Sequence, residues 1–153
     1  MCGEGGDPPV GNIYRKTIDY SSVVTPDQQY QRLLEFRITL RRFDQWSREA
    51  AEAHGLTHAQ HQLLLAIRGS RTPGGPTIGE VADALLVRPH AASELVDRAQ
   101  EIGLVGRVRD AADGRKVHLC VTEPGMRILE ELTEVHLAEL RWLAAYLDPV
   151  TEV

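Results

Sequence analysis

Three times in 153 residues a threonine stands three places before a glutamine or glutamate at the head of an apolar run: Thr25-Pro26-Asp27-Gln28, Thr57-His58-Ala59-Gln60 and Thr77-Ile78-Gly79-Glu80. In this arrangement the hydroxyl accepts from the backbone N–H three residues on, and the longer side chain reaches back to the threonine N–H. Two otherwise orphaned donors are satisfied at each helix start, so three such boxes commit the chain to an α-rich fold. Length points to one domain with a sizeable core rather than two.

The first helix opens at Thr25, carries Tyr30, Leu33, Leu34, Phe36, Leu40, Phe43 and Ala50 at spacings of three and four, and meets a stop at Gly55. The second runs through LLLAIR to Gly69, and the third, after the TPGGP linker, through EVADALL to Val87-Arg88. Pro89 then restarts helix as a first-turn residue, which makes a helix-turn-helix pattern. In this fourth helix Ala92, Leu95, Val96, Ala99 and Ile102 form an apolar face, His90, Glu94, Asp97 and Glu101 lie opposite, Ser93 flanks them, and Gly103 is the stop. LVGRVR and KVHLCV alternate as strands, the first with Leu104 and Val108 on one face, the second with Val117, Leu119 and Val121 on one face. A two-stranded hairpin is expected. From Thr122 a last helix is expected to reach Leu147 and end at Asp148-Pro149, with Leu129, Leu132, Leu140, Leu143 and Leu147 in one stripe and Val135, Leu137, Trp142 and Tyr146 off it. Helices apolar on more than one face want more than one partner, so the long terminal helices are expected to pack on a second copy. Residues 1–24 show no period and read as an arm.

The element order, with LTHAQHQLLLAI, TIGEVADALLV, ELVDRAQEIGLVGR and DGRKVHLCVT, resembles the MarR family of winged helix-turn-helix transcription regulators. The likeness spans about residues 25–147, and its most specific run is LVDRAQEIGLVGRVRDAADGRKVHLCVT. It implies a mainly α fold with a small β-hairpin: a winged helix-turn-helix lobe at about 57–122, between dimerisation helices at about 25–54 and 123–147. It further implies a cytoplasmic homodimer on the successive major grooves of a near-palindromic double-stranded DNA operator, and a repressor released by a small aromatic or anionic effector. On that reading Arg88, His90 and Ser93 meet the major groove, Arg115 the minor groove with Asp113 orienting it, and Arg107, Arg109 and Lys116 the backbone. Trp46 and His61 are candidates for lining the effector pocket by the same analogy. Arg88-Pro89-His90 replaces the small polar run usual in relatives, so the bases read do not carry over.

Net charge is −5, and residues 77–122 hold six basic and seven acidic side chains, a weak footprint for a phosphate binder. Residues 107–116 alone hold four basic and two acidic side chains. At a Debye length of about 8 Å, that local excess decides phosphate contact. The loop Asp110-Ala111-Ala112-Asp113-Gly114 has alanines where a calcium loop needs ligands, and a hairpin tip offers no cleft for paired catalytic carboxylates. A plain solvated turn explains its shape but not its arginines. Cys2 and Cys120 lack disulfide or zinc spacing, no resident metal or cofactor is expected, and no apolar run suits a membrane. No nucleophile elbow, phosphate loop or HExxH motif is present, so an enzyme is not expected. Two other classes remain: a winged helix used for protein contact, and a small-molecule binder without DNA.

Overall fold

The computed structural model describes residues 25–151, with side chains through residue 144. The arm assigned to residues 1–24 lies outside the described residues. The elements are α1 (Pro26–Ala53), α2 (His58–Gly69), α3 (Ile78–Leu85), α4 (Pro89–Glu101), β1 (Val105–Arg109), β2 (Val117–Val121) and α5 (Glu123–Thr151). All three capping boxes form, with both reciprocal bonds at Thr25, Thr57 and Thr77. Each helix therefore starts where its threonine places it.

The core gathers around α2, whose Leu63 and Leu64 are fully buried, and takes Val81 from α3, Val96 and Ala99 from α4, Leu119 from β2 and Leu129 and Leu132 from α5. β1 and β2 pair antiparallel with Val105 opposite Val121, Arg107 opposite Leu119 and Arg109 opposite Val117. β2 has a second attachment on its other edge, where the Leu119 N–H donates to the Pro76 carbonyl at 2.8 Å. Gly75 permits this approach: it sits at φ +100°, and a β-carbon there would lie 2.2 Å from the Leu119 carbonyl oxygen. Gly103, at φ +75°, ends the turn after α4 as expected.

Several expected positions move. α3 stops at Leu85, before Val87-Arg88, because Leu86 takes a left-handed conformation (φ 55°, ψ 39°) and the Val87 N–H bonds the Ala82 carbonyl. Ile102 leaves the α4 apolar face and is 58% exposed, since it follows the last helical residue and its backbone no longer keeps the helical phase. Leu104 is buried but Val108 is half exposed, although His118 opposite it across the hairpin is buried. Leu140 is likewise exposed, outside the buried α5 stripe of Leu129, Leu132 and Leu143. The helix expected to end at Leu147 continues through Pro149 to Thr151. Proline removes one ladder donor and disfavours helix at the residue before it, and here that is not enough to stop a long helix within its last turn.

Candidate nucleic-acid interface

α1, α2 and α3 each begin with a side-chain cap; α4 does not. Its N-cap is Arg88, in extended conformation with no side-chain hydrogen bond to the helix, followed by Pro89. A helix N-terminus without a cap leaves backbone N–H groups and the positive end of the helix dipole for an external anion. Arg88 and His90 are exposed there, and Ser93 is half-buried one turn on. The His90 Nε2 lies 3.1 Å from the Glu94 carboxylate.

The acidic flank of α4 has a second partner. Arg107 on β1 reaches across to the Asp97 carboxylate at 2.6 Å and donates also to the Gln100 side-chain oxygen. Arg107, expected among the phosphate contacts, makes here a pair that fastens the hairpin to α4. Its charge offsets that of Asp97.

At the wing tip Arg109, Arg115 and Lys116 are exposed and make no ion pair among the described residues. Asp113 orients backbone rather than the Arg115 guanidinium: its Oδ1 accepts the Arg115 N–H at 3.1 Å, and its carbonyl accepts the Lys116 N–H. A short carboxylate beside a turn reaches neighbouring N–H groups more readily than the end of a long side chain. Asp110 shapes the other half of the turn, accepting from Ala112 and Asp113 N–H on one oxygen and meeting the His118 Nε2 at 2.9 Å on the other. These bonds hold its pKa down at about 2, the Asp113 N–H first among them, followed by His118 and the Ala112 N–H. The Asp110–His118 contact was not foreseen. The only signal for it is a histidine alternating into a strand eight residues after an aspartate.

The two residues expected at an effector pocket do come together, through a third. His61 (α2) and Trp46 (α1) both pack on the His136 ring of α5, with centroid separations of 4.5 Å and 4.9 Å, and Phe43 stacks on Trp46. The His136 Nδ1 lies 2.7 Å from the Leu132 carbonyl and must carry a hydrogen, which leaves Nε2 to take the Ser47 hydroxyl proton at 2.7 Å in the neutral ring. His61 is 2% exposed, its Nδ1 has no partner among the described residues, and its pKa falls to about 4. Burial is the main cause, with the charges of His136, His58 and His54 adding to it. No group of three or more metal-ligating side chains occurs among the described residues. No described helix is long and apolar enough to cross a membrane.

Comparison with known proteins agrees with this architecture. The profile of the MarR family matches residues 54–116, from the end of α1 to the wing turn. The HTH-type transcriptional repressor MdtR of Bacillus subtilis is 29% identical over 104 residues, which cover 68% of this chain and 63% of MdtR. A 59-residue match to a second B. subtilis protein, the HTH-type transcriptional regulator YsmB, is 37% identical and covers 39% of this chain and 40% of that one. The chain thus spans less than two thirds of the length of the curated relatives it matches. Among solved structures, a MarR family protein from Bacillus stearothermophilus superposes with a TM-score of 0.65 at 25% identity, over 84% of this chain and 86% of that one. Staphylococcus aureus MepR in its DNA complex gives 0.64 at 23%, over 75% and 83%. Helix order, wing and matched segment are thus all similar to those of the MarR family of winged helix-turn-helix proteins.

Proposed function

We propose that the protein is a DNA-binding transcription regulator that works as a homodimer, most simply as a repressor released by a small effector. The observation that carries this reading is the uncapped, exposed start of α4 together with a wing whose Arg109, Arg115 and Lys116 have no carboxylate partner among the described residues. Once Arg107 is paired with Asp97 and Asp110 with His118, three cations and one anion, Asp113, remain on the wing. Local positive charge therefore persists in an acidic chain. On this reading Arg88, His90 and Ser93 enter the major groove, Arg115 the minor groove, and Arg109 and Lys116 lie along phosphates. Paired α4 helices in a dimer would sit about 34 Å apart, one turn of DNA. MdtR is named a transcriptional repressor and MepR is seen with DNA, which supports the reading by kinship.

For the effector, the support is the Phe43–Trp46–His136–His61 cluster of α1, α2 and α5, where an aromatic or anionic molecule would meet the aromatic rings and His61 Nδ1, which has no partner among the described residues.

Binding of a labelled random-sequence duplex pool across a salt series tests the function. A phosphate binder should lose affinity on a log–log slope of about −0.9 for each phosphate contacted. A weak salt dependence would favour a protein-contact module, and ligand-induced stabilisation without any DNA shift would favour a simple binder.

A further inference from the structure

The wing turn is tied to the lobe through one buried imidazole. His118, 6% exposed on β2, has Nδ1 2.6 Å from the Gly75 carbonyl and Nε2 2.9 Å from the Asp110 carboxylate. Both partners are acceptors, so both ring nitrogens need a hydrogen. A neutral ring satisfies one of them; the imidazolium satisfies both. The same carboxylate receives the Ala112 and Asp113 N–H groups that shape the turn before Arg115 and Lys116. The chain Gly75–His118–Asp110–turn thus joins the loop ahead of α3 to the segment that presents the wing cations.

We propose that protonated His118 is the positioning residue of the wing, so that DNA affinity falls as pH rises through the titration of this imidazole. The proposal rests on the DNA-binding reading above. The charged groups facing the ring are Asp110 from the wing turn and Glu80 from α3; across the hairpin it stands opposite Val108, and the α2–α3 loop gives it the Gly75 carbonyl and the open α-carbon of Gly74. No cation opposes its charge among these neighbours. Its pKa is raised, by the Asp110 hydrogen bond first and the Gly75 carbonyl second, with burial working the other way. When the proton leaves, one of the two bonds must be lost, and Asp110 keeps an uncompensated negative charge among groups that would face phosphate. Both effects weaken the same interface.

The test compares wild type and His118→Gln by fluorescence anisotropy at fixed ionic strength, on a duplex recovered by the wild-type protein from a random pool. Every other histidine is common to both proteins, so the difference between the two pH profiles isolates His118. Wild-type affinity should fall about tenfold more than that of the variant between about pH 6 and about pH 8.5, the equivalent of one pKa unit of coupling. Identical pH profiles would overturn the strap and leave DNA binding standing. If no duplex is recovered or bound at any salt, the DNA reading and the strap fall together. Should the variant not fold, an NMR titration of wild-type His118 decides: a midpoint above about 6.5, with Ala112 and Asp113 amide exchange accelerating at the same midpoint, supports the proposal. A midpoint at or below that value overturns it.

Discussion

Leu86 is the one non-glycine residue with positive φ among those described, and it is 92% exposed. Its left-handed backbone closes α3 and sets the turn into α4, a place where glycine is the ordinary choice because a β-carbon costs about 1–2 kcal/mol there. Leu86→Gly removes the strain and adds unfolded-chain freedom, so a net gain of about 0.5–1 kcal/mol is expected in urea unfolding. A loss of stability would mean that the side chain contributes contacts its exposure does not suggest. His61 works in the opposite sense to His118. Its folded pKa of about 4 lies below the ordinary 6.5, so the unfolded chain binds more protons between these values and stability rises with pH across that window. Stability should be complete above pH 6.5 and decline by up to about 3 kcal/mol as pH falls to 4, and His61→Leu should flatten that limb of the unfolding curve. At this scale the sequence was readable for the threonine caps, where donor and acceptor are three residues apart. It was not readable for Asp110 and His118, or for His61 and His136, because those contacts depend on where the hairpin and α5 come to lie.

Elements were legible wherever a local signal fixed them. Capping boxes gave the starts of α1, α2 and α3, Pro89 that of α4, and period-two alternation the strands. Their ends were harder: α3 stops on a leucine rather than a glycine, and α5 passes Pro149. Which face a strand presents was also partly hidden. Arg107 stands opposite buried Leu119 and looks misplaced by hydrophobicity, until Asp97 and Gln100 on α4 are seen to receive its guanidinium. The two arginine positions should therefore behave differently. Arg107→Ala releases the hairpin from α4 and bares Asp97, costing about 1 kcal/mol of stability and weakening DNA binding with little change in salt slope. Arg115→Ala should leave stability intact and reduce the slope by about one phosphate contact per protomer. Measuring denaturation and salt-dependent binding on both variants separates the roles, and equal salt slopes would refute the assignment of Arg115 to DNA.

On the scale of the whole molecule, the described surface is divided between a well-packed lobe and two helices that are not covered. Tyr30, Leu33, Leu34 and Leu40 on α1, and Val135, Leu137, Leu140 and Trp142 on α5, are 39–72% exposed. Exposed apolar side chains gathered on one element mark an interaction site, and both terminal helices carry them. A symmetric pair would cover like with like and double every phosphate contact. Leu137→Glu tests this without touching the core, because Leu137 is about half exposed and the buried α5 stripe of Leu129, Leu132 and Leu143 is unchanged. The variant should keep its helical circular dichroism yet sediment as a monomer at micromolar concentration, where wild type sediments as a dimer. Its DNA salt slope should then fall to about half, since one lobe remains in contact. A wild-type monomer, or a variant that stays dimeric with an unchanged slope, would remove the terminal helices from the interface and leave the second lobe's position on DNA without a physical basis.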